Sequence, residues 1–197
     1  MSEIKVNKIS PSSGTAFTLG DSGDTFTLPS GATIVNSGTA TGFGGGKIGQ
    51  VVQTVNLATE TISSTTYTTI SDFTVAITPS ATDSKVLVYV DSKVTTDGNY
   101  DYTVQLFRDT TQVYMGDAAG TRPRAYSGSY EDSGRKIRGQ VAIYLDSPAT
   151  TSEVEYSCKW ATEGSRPTYM NRTVTDTDQA MYDPRLASSI TVMEVLA

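Results

Sequence analysis

The chain reads as an all-β protein: a short N-terminal β shaft built from several chains, then an antiparallel β-sandwich head. Three observations predict this. Apolar and polar residues alternate with period two in one short run after another. No intervening segment carries a 3.6-residue apolar period. Thr, Ser and Gly are abundant while Leu and Ala runs are scarce, a composition suited to strands and turns. With 197 residues there is room for one ordinary domain and an appendage, and 37% apolar residues suffice for a β core.

The first element is residues 1–13, "MSEIKVNKISPSS", which lack the charged-then-apolar order of a secretory signal, so assembly in a cytoplasm is expected. Residues 14–47 follow as a Ser/Gly/Thr-rich segment. Its Ser-Gly pairs fall at Ser13-Gly14, Ser22-Gly23, Ser30-Gly31 and Ser37-Gly38, at spacings of 9, 8 and 7. Between the first of these, Phe17/Leu19 and Phe26/Leu28 alternate with Thr, as in strands with one buried face, and Gly with Asp-Ser-Gly supplies tight turns. Seven large apolar side chains between Gly14 and Gly44 are too few to offset the entropy of ordering the segment alone. A flexible linker is the plain reading; the regular Phe/Leu placement favours interleaved strands from several copies. "GFGGGK", Gly42 to Lys47, is the joint to the head.

The head, residues 48–197, shows about nine strands. "GQVVQTVN" opens it. "SDFTVAIT" places Phe73, Val75 and Ile77 on one face, and "YTVQLF" does the same with Tyr102, Val104 and Leu106. "EVEYSCKW" points Val154, Tyr156, Cys158 and Trp160 inward. "KVLVYV" (Lys85–Val90) and "QVAIYL" (Gln140–Leu145) are apolar on both faces, so one face is expected on the core and the other on a neighbouring subunit. "TTQVYM", "TYMNRTV" and "SSITVMEVLA" complete the series, linked by turns such as "LDSPATTSE".

Charge and residue inventory remove several functions. A net charge of −6 provides no field for nucleic acid. No run of 18 apolar residues exists to span a membrane. Cys158 is the only cysteine, which excludes an internal disulfide and a paired-cysteine metal site. Histidine is absent, which removes His-based triads and zinc sites. No cofactor or metal is expected; "DTDQAMYD" (Asp176–Asp183) lacks calcium-loop spacing.

The stretch "IKVNKISPSSGTAFTLGDSGDTFTLPSGATIVNSGTATGFGGGKIGQVVQ" resembles the N-terminal part of fibre-like virion proteins of tailed bacteriophages, especially marine and cyanobacterial ones. "ITPSATDSKVLVYV", "VQLFRDTTQV", "YLDSPATTSEVEYSCKW" and "SSITVMEVLA" resemble the head module that follows it in such fibres. The resemblance implies a homotrimeric jelly-roll head, akin to the tumour-necrosis-factor-like fold. It also implies an N-terminus docked on other virion proteins, with Ile4, Val6 and Ile9 as docking candidates. The implied role is a non-enzymatic tail fibre whose head contacts a host-surface receptor, glycan or protein. The alternatives are a capsid or tail decoration protein and, more remotely, a polysaccharide depolymerase.

Loops carry binding on rigid β scaffolds. The longest irregular stretch, Gly116 to Gly139, offers Arg122, Arg124, Tyr126, Tyr130, Arg135 and Lys136. Thr95–Asp101 adds Asn99 and Tyr100, and "ATEGSRPTY" adds Arg166 and Tyr169. Tyr and Arg combine large contact area with strong hydrogen bonding, Tyr stacks on sugar faces, and Arg pairs with acidic polysaccharide. Equally, these Arg residues can pair with Asp117, Glu131 or Asp132 across a trimer, or stay solvated. Asp97, Asp101, Asp117, Glu131 and Asp132 raise the glycosidase question, since that chemistry needs two carboxylates flanking one bond. Acidic turn residues are the ordinary alternative. Asn171 heads an "NRT" sequon, without consequence in a cytoplasm.

Overall fold

The computed structural model describes residues 10, 11, 13–16, 18, 21–25, 27, 29–32, 48–131, 136–179 and 181–197. The chain divides into two compact units, Met1–Phe43 and Gly44–Ala197. In the first, two Ser-Gly pairs form turns: the Asp24 amide donates to the Asp21 carbonyl at 3.0 Å, and Ala32 to Pro29 at 3.0 Å. Gly23 (φ 98°) and Gly31 (φ 86°) take the third turn position, where a type II turn needs a positive φ. No strand occurs among the described residues of this unit. The expected strand residues Phe17, Leu19, Phe26 and Leu28, and the docking candidates Ile4, Val6 and Ile9, lie outside the described residues.

The second unit is all-β, two antiparallel sheets packed as a sandwich. Its strands are β1 (Ile48–Asn56), β2 (Glu60–Ile62), β3 (Thr68–Ile77), β4 (Lys85–Thr96), β5 (Tyr100–Arg108) and β6 (Thr111–Val113). They continue as β7 (Ser127–Glu131), β8 (Arg138–Asp146), β9 (Val154–Thr162), β10 (Thr168–Met170) and β11 (Ser188–Val195). A single 3₁₀ turn, Glu163–Ser165, follows β9. The first sheet runs β1-β11-β4-β10-β2, with β8 on the free side of β4. The second runs β3-β9-β5-β6, with β7 also on β5. The chain changes sheets between β2 and β3, β3 and β4, β4 and β5, β7 and β8, β8 and β9, and β9 and β10.

Period-two alternation aims one face of each sheet inward. Val86, Val88, Val90, Ile190 and Val192 from the first sheet meet Phe73, Val75, Tyr102, Leu106, Tyr156 and Trp160 from the second, all buried. These are the alternating sets expected for "SDFTVAIT", "YTVQLF" and "EVEYSCKW". β3 adds a feature that alternation does not give. Its register with β9 jumps between Thr69 and Thr74, with Asp72 at φ 52°. This bulge lets Ile70 and Phe73, three residues apart, both reach the core.

Two strands are shorter than expected. "TYMNRTV" keeps only Thr168–Met170, because Asn171 turns left-handed (φ 60°) and is fully buried. Its Nδ2 donates to the carbonyls of Asn56 and Ala58, each at 2.9 Å, and its Oδ1 accepts from Ser188 Oγ at 2.6 Å. The sequon asparagine is thus a structural clamp. "TTQVYM" stops at Val113, where Tyr114 takes φ 46°. Two further strands, β2 and β7, occupy segments read as connections.

Candidate functional site

The two outward faces of the sandwich differ sharply. On the first sheet, register aligns rows across four strands. Val51 pairs with Met193, Met193 with Leu87, and Leu87 with Leu145. The next row is Gln53, Thr191, Tyr89 and Ile143, and the third Val55, Ser189, Asp91 and Val141. β8 is inverted relative to a normal core strand. Its bulky Val141, Ile143 and Leu145 are 46%, 58% and 46% exposed, while Gln140 and Ala142 face the core. A charge pair lies at its third row, where Lys93 Nζ reaches Asp91 at 2.5 Å.

On the second sheet, the register brings three small residues side by side. Thr103 of β5 pairs with Ala161 of β9 and with Gly128 of β7. This row forms the floor of a groove of about 660 Å³. Tyr67, from the β2–β3 connection, stands on the β9 side; its hydroxyl meets Thr103 Oγ1 at 2.6 Å. Tyr130, 52% exposed, stands on the β7 side and donates to Asn99 Oδ1 at 3.2 Å. Asp101 and Glu163 close one end, Glu163 being held by the Asp101 backbone amide at 3.2 Å.

The predicted contact residues separate into two groups. Asn99, Tyr100, Tyr130 and Arg166 gather at this end of the second sheet. Asn99 takes φ 67°, its amide donates to the Glu131 carbonyl, and the Arg166 guanidinium lies 4.6 Å from the Tyr100 ring centre. Arg122, Arg124, Tyr126 and Tyr169 are not among the residues that line the groove. Arg122 is exposed in a turn closed on Ala119. Arg124 Nε donates to the Gly116 carbonyl at 2.7 Å, while its own carbonyl receives Gln105 at 2.8 Å and Gln112 at 2.6 Å. Tyr126 aims its hydroxyl at Ser92 and Cys158, and burial raises its pKa well above the usual tyrosine value. Tyr169 lies under the Arg172 guanidinium at 4.4 Å on the first sheet. Arg135 and Asp132 lie outside the described residues.

Of the described carboxylates considered for catalysis, Asp101 lines the groove, and Glu163, which sequence did not single out, joins it. Asp97 and Asp117 are exposed. Glu131 is fully buried and paired with Arg138 Nε, with a further hydrogen bond from Ser129 Oγ at 3.0 Å. In the Asp176–Asp183 segment, Asp176 pairs with Arg172 and Arg185. Asp183 is ringed by the hydroxyls of Thr173, Thr175 and Thr177, which hold its carboxyl below the usual range. Among the described residues, no group of three acidic, Cys or His side chains is placed to hold a metal. The groove residues that sequence missed are Tyr67, Thr103, Gly128, Ala161 and Glu163; their signal lies in strand register.

The chain matches no protein-family model, and no curated protein matches it.

Proposed function

We propose that the chain is a non-enzymatic virion protein of a tailed bacteriophage. In this reading it is a homotrimeric tail fibre, docked through its N-terminus, whose jelly-roll head contacts a host-surface glycan during adsorption. The observation that carries the reading is the inverted strand β8, whose large aliphatic side chains face outward in register with Leu87, Tyr89 and Val51. Val51, Val55, Tyr89, Val141, Ile143 and Leu145 there are each 39–58% exposed, a contiguous apolar patch of the kind that marks an interaction surface. A second copy removes it from water, and a closed ring of copies removes it three times over.

The strand order supports the jelly roll. With β2 and β10 set aside and β6 and β7 counted as one strand alongside β5, eight strands remain, ordered 1-8-3-6 in one sheet and 2-7-4-5 in the other. The glycine-bearing turns at residues 21–24 and 29–32 support the shaft reading of the N-terminal unit. The receptor surface is then the second sheet, left outside by assembly through the first.

Adsorption competition tests this. Purified full-length chain, pre-incubated with host cells, is expected to slow adsorption of virions carrying the gene, and immunogold label is expected at the tail. Label over the capsid with no competition would make it a decoration protein. Asp101 and Glu163 both line the groove, and a depolymerase would need two carboxylates flanking its scissile bond. Release of reducing ends from host polysaccharide would overturn the non-enzymatic reading.

A further inference from the structure

We infer that the groove over Thr103 takes an uncharged sugar ring, a neutral hexose or N-acetylhexosamine unit, and excludes acidic polysaccharide. The inference rests on the receptor-binding reading and names the ligand chemistry of its site. It departs from the expectation that arginines would recognise an acidic glycan.

Shape comes first. Thr103, Ala161 and Gly128 sit in one cross-strand row, so the floor is low where neighbouring rows carry Lys159 and Gln105. Gly128 cannot be larger: a Cβ there would lie 2.9 Å from Thr103 Cγ2 and 2.9 Å from the Tyr102 carbonyl. The walls are rings, Tyr67 and Tyr130, contributed from opposite sides of the β9–β5–β7 ladder. A volume of about 660 Å³ lies within the range of about 300–1,000 Å³ common for small-ligand sites. A flat ligand with one less polar face fits a shallow floor and a tyrosine wall, and a pyranose ring presents its C–H face in that way.

Polarity decides among flat ligands. The Asp101 and Glu163 carboxylates at one end are acceptors only, so they select a ligand rich in hydroxyl or amide donors. Thr65 adds a hydroxyl that both donates and accepts along the rim. Among the described residues no Lys or Arg belongs to the lining, and the Arg166 guanidinium lies over the face of Tyr100. A uronate or sialate would therefore meet two carboxylates and no cation among the described lining residues, on a chain of net charge −6. Like charge within the groove is a rejection device, while a neutral ring keeps the charge-assisted hydrogen bonds.

The test is a glycan array probed with the full-length chain, carrying neutral hexose and N-acetylhexosamine oligosaccharides beside uronate- and sialate-bearing ones. Signal is expected on neutral glycans and not on acidic ones. Tyr130→Ala and Asp101→Asn each should weaken it at least tenfold, at unchanged oligomeric mass and melting temperature. Both positions are exposed, so neither change disturbs the core. Signal confined to acidic glycans, no signal on any neutral one, or signal unaffected by either variant would overturn the inference. The same variants in the adsorption competition separate the two levels. A wild-type chain that competes while binding no neutral glycan defeats only the ligand class; a chain that does not compete defeats the receptor reading itself.

Discussion

Gly128 lies directly opposite Thr103 in the β5–β7 ladder, so close that even a methyl group would press on the Tyr102 carbonyl. Its backbone is not in the left-handed region, so the constraint is space rather than conformation. In an open strand position Gly→Ala stabilises by limiting the unfolded chain. Here Gly128→Ala is expected to destabilise by about 1–3 kcal/mol, the usual cost of forced packing. Denaturant unfolding checks the sign, and a stabilised variant would show that β7 has room to move off β5.

Glu194 is almost fully buried near the end of β11. Burial alone would raise its pKa, but Gln50 Nε2 at 2.8 Å and the Ser80 amide at 2.6 Å and hydroxyl at 2.7 Å hold it at about 2. A carboxyl depressed on folding contributes stability above its unfolded pKa, near 4.5, and loses it as pH falls toward 2. The contribution at neutral pH is on the order of 2–3 kcal/mol. Glu194→Gln should lower stability at pH 7 and flatten the fall between pH 4.5 and pH 2. Urea unfolding across that window measures both; a wild-type slope retained by the variant would assign the acid sensitivity elsewhere.

Cys158 sits in the core on β9, and burial pushes its thiol up to about 12 despite the Tyr126 hydroxyl nearby. The reactive thiolate is therefore scarce at any pH below that value. Iodoacetamide at pH 8 should leave the native protein unmodified and label it fully in denaturant. Rapid native labelling would mean that β9 opens locally.

The core was readable residue by residue because alternation is local. Val154, Tyr156, Cys158 and Trp160 are buried as their spacing requires, and the doubly apolar "QVAIYL" did mark a strand with a hydrophobic outer face. β7 escaped because Ser127-Gly128-Ser129 has no apolar alternation; its place is set by fitting against β5. The groove was hidden for the same reason: Thr103, Gly128 and Ala161 are distant in sequence and meet only through register. Tyr126 looked like a loop residue because nothing in its flanking sequence signals that its hydroxyl turns toward Cys158. Asn99, Tyr100, Tyr130 and Arg166 converge although they come from three segments, because β5, β7 and the turn after β9 end at the same edge.

Assembly through the first sheet is the central claim, and Ile143, 58% exposed, is the most exposed large apolar side chain in its aligned rows. In an isolated sandwich, Ile143→Lys would cost little, since the side chain already faces water. At a packed interface it introduces an uncompensated charge on each copy.

The most direct measurement is sedimentation equilibrium of the full-length chain and of Ile143→Lys at the same concentration. The expected result is a wild-type mass three times the 21.0 kDa of one chain, falling to a single chain's mass in a variant that keeps its β circular dichroism spectrum. A wild-type protein sedimenting at 21.0 kDa, or a variant that remains fully assembled, would contradict it.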